Sequence, residues 1–203
     1  MINYREIQSE DVEGFWNLLN TLDTETNYMM YEPEERRQKT TIQELKDDID
    51  ENVIHGNDFL QIALDDGRIV GYIRAERGKF NRVYHTAYIV VGILKAYSGK
   101  GIGTSFFKNL DQWAEKNGIM RLELTVECCN HAAKHLYEKR GFKVEGIKEK
   151  SMLVDGAFVD EFYMAKIFRH KTLEERAAEF GGTLKLDGEF DWGEAVGREI
   201  YTE

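Results

Sequence analysis

Val90–Thr104 reads VVGILKAYSGKGIGT. The overlapping run Tyr88–Leu94 is apolar and suits a buried strand. Three alternating glycines follow, Gly99, Gly101 and Gly103. Beyond them Ile102, Phe106, Leu110, Trp113 and Ala114 recur at helical spacing. A strand that feeds a glycine turn into a helix N-terminus builds an anion site. The glycines let the backbone approach a ligand, the first-turn N–H groups are unpaired, and the helix dipole favours negative charge there. A phosphate-bearing ligand is the expectation.

Two familiar phosphate motifs do not fit. A nucleotide P-loop places Ser or Thr directly after its Gly-Lys pair, and here Gly101 follows Gly99-Lys100. The dinucleotide fingerprint G-x-G-x-x-G lacks its third glycine in both registers, where Thr104 or Phe106 stands. A second informative segment lies downstream. Arg121–Val126 alternates as a strand, and NHAAKHLYEKRGF follows from Asn130 to Phe142. Asn130 suits a helix N-cap, Lys139 and Arg140 suit the negative C-terminal end, and Gly141 suits the left-handed position beyond it. Asn130 and Tyr137 are two helical turns apart and share a face.

Taken together, these segments resemble the GCN5-related N-acetyltransferases. The loop resembles that family's R/Q-x-x-G-x-G/A motif at Gly101 and Gly103, with Ser98 where Arg or Gln is usual and Lys100 as the nearby cation. The second segment resembles its N-x-x-A-x-x-L/F-Y-x-x-x-G-F box through Asn130, Ala133, Leu136, Tyr137, Gly141 and Phe142. The resemblance runs over residues 2–168. It implies an α+β, three-layer α/β/α fold with a mixed central sheet of about seven strands, two of them parallel and splayed. It further implies acetyl-CoA as co-substrate between strands Tyr88–Leu94 and Arg121–Val126. Backbone groups of Ile93 and Leu94 would bind the pantetheine arm and thioester, and Gly99, Lys100, Gly101, Ile102, Gly103 and Thr104 the pyrophosphate. Asn130 would bond the arm, and Tyr137 would face the sulfur.

The reaction implied is direct attack of a primary amine, on a small molecule or peptide, through a tetrahedral intermediate. A strand N–H can stabilise the oxyanion, and a phenol can protonate the departing thiolate. The base is less legible. His85 and Tyr88 occupy the start of the central strand, where this family often places a base or a water-holding residue; a structural role for His85 is the competing reading. Glu123 and Glu127 flank the other splayed strand. The adjacent Cys128 and Cys129 form no disulfide framework or CxxC metal site, and no metal is expected.

The net charge of −10 argues against nucleic-acid binding and is compatible with a cationic acceptor. No apolar run has the length of a membrane span, and the N-terminal MINYREIQSED has no signal-like apolar core, so a cytoplasmic protein is expected. Elsewhere the pattern predicts a strand at Ile2–Ile7, a helix at Asp11–Leu22 and one charged helix over Glu34–Asn52, anchored by Ile42, Leu45 and Ile49. Hairpins are predicted across Asp65-Asp66-Gly67 and Asp155-Gly156. Between the first two helices, Tyr28, Met29, Met30 and Tyr31 are too apolar for a free loop and should pack, either closing the core or walling an acceptor pocket beside Glu25 and Glu32.

The organisation expected is an acyltransferase domain over 1–168 and an acidic C-terminal extension over 169–203. Lys171–Glu203 carries four basic and nine acidic residues. The stretch from Phe190 resembles the toxin-wrapping tails of MazE-type antitoxins, with Ala195 where those carry Pro. Docking on its own domain, across a homodimer or on a protein partner are the readings open for it. A catalytically weak acyl-CoA-binding or partner-docking module is the alternative to an enzyme.

Overall fold

The core follows the predicted apolar faces. In the computed structural model, which describes residues 1–169, α1 (Val12–Glu25) buries Val12, Phe15, Leu18, Leu19 and Leu22. Helix α4 (Ile102–Lys116) buries Ile102, Phe106, Phe107, Leu110 and Ala114. Between these helices lies a seven-stranded sheet in the order β1-β2-β3-β4-β5-β7-β6. Its strands are β1 (Asn3–Glu6), β2 (Phe59–Asp65), β3 (Arg68–Arg77), β4 (Thr86–Ile93), β5 (Arg121–Glu127), β6 (Lys143–Val154) and β7 (Ala157–Ile167). Residues Met1–Phe168 form one compact unit.

Strand alternation assigns the two faces. Tyr72 meets Phe15 of α1 edge-to-face, with ring centroids 5.1 Å apart, and shares its face with Gly92, Arg74, Val90 and Tyr88 through the β3–β4 register. On the opposite face Phe59 packs on Trp113 of α4, centroids 5.4 Å apart. The helix α5 (His131–Lys139) joins that second layer, where Tyr137 and Phe107 pack at 5.6 Å. Both Asp-Gly hairpins form, with positive φ at Asp66, Gly67, Asp155 and Gly156.

The predicted helix Glu34–Asn52 is not continuous. Two helices form instead, α2 (Glu35–Lys39) and α3 (Ile42–Asp48), the latter running into a wide π turn over Ile49–Ile54. The break has a local cause. Thr40 is extended, and Thr41 accepts the Glu44 N–H at 3.2 Å while the Glu44 carboxylate accepts the Thr41 N–H at 2.8 Å. This reciprocal capping box starts a new helix at the T-x-x-E signature. Of the expected anchors, Ile49 is fully buried, Leu45 packs at the core edge, and Ile42 is exposed.

The sheet's far edge is irregular. Strand β6 extends past Lys150 to Val154, across a register shift between Lys148 and Met152 at which Lys150 has positive φ. The acidic extension, with its antitoxin-like stretch and its docking readings, lies outside the described residues apart from Arg169.

A partly buried charge cluster ties α3 to the sheet. Arg74 donates to Asp48 at 2.5 and 3.1 Å and to Asp58 at 3.2 Å. Burial works against the charge on Asp48, and the bonds from Arg74 override it, holding its pKa below the ordinary value. Arg74→Met should lower unfolding free energy by about 3 kcal/mol, because it strands partly buried carboxylates. Urea denaturation at neutral pH measures this. Asp48's depressed pKa makes its contribution present above the ordinary value of 3.8 and lost as pH falls through the folded value, so the difference between variant and parent should shrink in that acid range.

Candidate active site

The site begins where two parallel strands stop pairing. Strands β4 and β5 match only at Thr86↔Arg121, Ala87↔Leu122 and Tyr88↔Glu123. Beyond Tyr88 each continues, β4 to Ile93 and β5 to Glu127, with no partner across the gap. On its other side β4 stays paired with β3, where the Leu94 N–H donates to the Val70 carbonyl at 3.0 Å. Antiparallel ladders alternate, so the main-chain groups of Ile89, Val91 and Ile93 point away from β3 into the gap. The structure therefore places Ile93 at the gap as expected, but the Leu94 amide is engaged elsewhere. Ile89 and Val91 are gap-lining positions that the sequence reading missed; the alternation could have been counted, but only once the paired edge was known.

The gap leads to the glycine loop. Gly99 and Gly101 have φ of +73° and +82°, and an added Cβ at either meets nothing within 4 Å. Gly101 is the N-cap of α4 and has no side chain to cap it. The Ser105 N–H donates to the Gly101 carbonyl at 3.1 Å, and the amides of Ile102, Gly103 and Thr104 precede that first helical bond. These are the orphan donors of a helix start. Lys100 stacks its ammonium over the Tyr97 ring at 4.4 Å, which keeps a cation beside the loop despite Ser98. Gly103 has a different job: a Cβ there would meet Leu136 Cδ2 at 2.8 Å, so its absence lets α4 and α5 pack.

That packing sets the second motif. Asn130 accepts the Ala133 N–H at 3.1 Å and caps α5. Two turns on, Tyr137 is buried against Phe107 and Phe142. Its hydroxyl has no hydrogen-bond partner among the described residues. Burial pushes the phenol's pKa upward and nearby Tyr88 adds to the shift, so Tyr137 stays protonated at neutral pH. Tyr88 itself lies at the last paired position of β4, its hydroxyl 2.9 Å from Thr125 Oγ1.

His85 is not brought to the gap. It is exposed in the turn before β4, where its carbonyl accepts from Met120 and Arg121 N–H at 2.8 and 3.2 Å. It precedes Tyr88 by three positions, on the order of 10 Å of extended chain. It sits at the closed end of the splay. Glu123 is occupied by Arg121 at 2.7 Å. The cysteines are also unsuited to nucleophilic work: burial and neighbouring carboxylates push both thiols up, and Cys129 donates to Glu127 at 3.4 Å. Among the described residues no His, Cys, Asp or Glu cluster could hold a metal, and no helix is long and apolar enough to cross a membrane.

The α1–α2 connection only partly packs. Tyr28 and Met30 are exposed, Met29 packs against the core, and Tyr31 lies under Arg36, which pairs with buried Asp23. Glu25 accepts the Lys95 N–H at 2.8 Å at the end of β4, and Asn27 donates to Asp155 in the β6–β7 turn at 2.9 Å. This connection and that turn thus meet each other.

Comparison with known proteins agrees with this geometry. Residues 16–142 match the acetyltransferase (GNAT) family. The chain is 29% identical over 110 residues to the L-amino acid N-acetyltransferase AaaT of Escherichia coli, spanning 52% of this chain and 66% of that one. It is 27% identical over 175 residues to the spermidine N(1)-acetyltransferase of the same organism, spanning 86% and 89%. Among solved structures, a GNAT-family acetyltransferase from Streptococcus pneumoniae superposes with a TM-score of 0.77 at 28% identity, over 83% of this chain and all (100%) of that one. The yncA protein of Salmonella typhimurium, solved with acetyl-CoA, shares the fold with a TM-score of 0.74 at 17% identity, over 85% and 96%. The chain belongs to the acetyltransferase (GNAT) family.

Proposed function

We propose that this protein transfers the acetyl group of acetyl-CoA to a primary amine of a small molecule or peptide. The observation that carries the reading is the continuous path from the unpaired edge of β4 to the uncapped amides at Gly101–Thr104. A long ligand with an amide-rich arm and a pyrophosphate matches both ends. The arm continues the β4 ladder, and the phosphates meet helix N–H groups and Lys100. Membership of the family and the activities named for the E. coli relatives support this class of reaction.

The co-substrate supplies a thioester whose acyl carbon accepts the neutral amine: the C–N bond forms, the C–S bond breaks, and the protons that the nitrogen sheds pass to water. Main-chain N–H groups of β4 at the gap are suited to the negative charge that develops on the carbonyl oxygen, a preorganised donor that needs no rearrangement. Tyr137 supplies a proton to the departing thiolate, whose thiol has an ordinary pKa of about 8.5. Burial keeps the proton on this phenol at neutral pH, so Tyr137 enters the reaction as a donor and not as a base. Tyr88 and Thr125 join the strands where the gap begins, at the reacting end of the path. Asn130 follows the end of β5, its amide oxygen engaged by the Ala133 N–H and its amide nitrogen left to serve as a donor to the arm.

Two substitutions test the assignments separately. Tyr137→Phe keeps the aromatic packing and removes only the donor. Turnover should fall by about 10-fold or more, within the usual range for general-acid catalysis, with CoA affinity little changed. A parental rate in a single-turnover assay would make Tyr137 a packing residue. Gly101→Leu places a side chain on the ligand side of a left-handed residue, where backbone strain alone is about 1–2 kcal/mol. CoA affinity by calorimetry should drop by about 10-fold or more while the fold persists; an unchanged value would remove the pyrophosphate from this loop.

A further inference from the structure

Two carboxylates near the open end of the gap have no part in the chemistry described so far. Glu127 closes β5 and pairs directly with Glu161 on β7. Direct antiparallel partners project to the same face with Cβ atoms about 5 Å apart, so two like charges here repel. Both are buried, at 6% and 8% exposure. Such an arrangement is retained only if something compensates it.

Compensation is present for one of the pair and missing for the other. Burial opposes ionisation of Glu161, but hydrogen bonds from Thr125, Ser151 and Lys148 outweigh it and hold its pKa down. Lys148 lies 3.3 Å away. Among the described residues Glu127 receives only a long thiol contact from Cys129 on Oε2, and its Oε1 is buried with no hydrogen-bond partner there. Burial pushes the Glu127 pKa up, the Cys129 contact opposes this, and the charge of Glu161 adds to the rise. A fully buried carboxylate oxygen with nothing to accept is rare in a folded protein.

The location points to a ligand. Alternation along β5 puts Glu123, Thr125 and Glu127 on one face, and the β5–β7 register adds Glu161 and Tyr163. That is the face of Tyr88, whose hydroxyl meets Thr125 where the strands part. Polar side chains therefore follow that face from the start of the gap, where the Tyr88 hydroxyl meets Thr125, to Glu161 and the orphan oxygen of Glu127 beside it. An alkylammonium group carries one positive charge and three donors. It would give Glu127 Oε1 its missing partner and quench the repulsion between the two carboxylates.

We propose that Glu127 and Glu161 form the subsite that receives the cationic nitrogen of the acceptor, in its protonated form, before transfer. This rests on the acetyltransferase reading above. It predicts selection for primary ammonium compounds over alcohols of the same size, because a hydroxyl brings no charge to the pair. Glu127 and Glu161 are positioning residues in this account.

The test uses the full chain saturated with CoA and three primary amines, n-butylamine, spermidine and L-leucinamide, titrated against the parent, Glu127→Gln and Glu161→Gln. At least one amine should bind the parent saturably, and each variant should weaken it by about 10-fold or more with CoA affinity unchanged. Glu127→Gln should at the same time raise the melting temperature, since it removes an unpaired buried charge; a purely structural Glu127 would lower it. Equal amine affinity in parent and Glu127→Gln, or no saturable binding of any of the three by the parent, overturns the subsite. Amine binding lost in the variants, without CoA release from acetyl-CoA by the parent, would keep the subsite and discard the transferase reading. CoA release with unchanged KM in both variants would do the reverse.

Discussion

The constraint on which the rest depends is the parting of β4 and β5 after Tyr88↔Glu123. A strand edge inside a protein carries N–H and C=O groups that must find partners, and each orphan is costly. Here five residues of β4, Ile89 to Ile93, keep a full ladder with β3 and present bare main chain on the other side. The sheet tolerates this because it stays continuous elsewhere: β5 is paired along its whole length with β7, and β4 with β3. The opening is thus framed by two well-bonded ribbons, and a ligand with its own amide groups can complete the ladder.

Packing on the two faces keeps that opening in register with the chemistry. On one face Gly103 lets Leu136 close onto the first turn of α4, so the loop amides and the α5 residues Asn130 and Tyr137 move as one body. On the other, Gly92 leaves room for Leu22 of α1 and Tyr72, either of which a Cβ would meet within 2.8 Å. Two small residues, one at the floor of each layer, set the distance between helices and gap. Neither acts by conformational freedom.

Electrostatics divides the molecule in the same way. The loop end offers unpaired N–H groups and Lys100 to a polyanion, while the opposite face carries Glu127 and Glu161. On the face shared with Tyr88, Arg74 neutralises Asp48 and Asp58, so that partly buried charge there is structural. The net charge of −10 belongs to the whole chain and does not by itself mark either end of the site.

Much was legible in the chain alone because its signals are local. Periodicity placed the buried faces of α1 and α4, Asp-Gly pairs placed both hairpins, and the strand–glycine–helix order placed the glycine turn that opens α4. The capping box that divides α2 from α3 was readable too, at Thr41 and Glu44, and was overridden by the long charged pattern around it. What only the tertiary structure decided is which distant residues meet. His85 looked suited to catalysis by type but lies exposed in the turn before β4, whereas Glu161, thirty-four positions beyond Glu127 in the chain, is the direct neighbour of Glu127. Strand pairing between β5 and β7 is non-local, and no spacing in the sequence encodes a register that is set by which strands the core brings side by side.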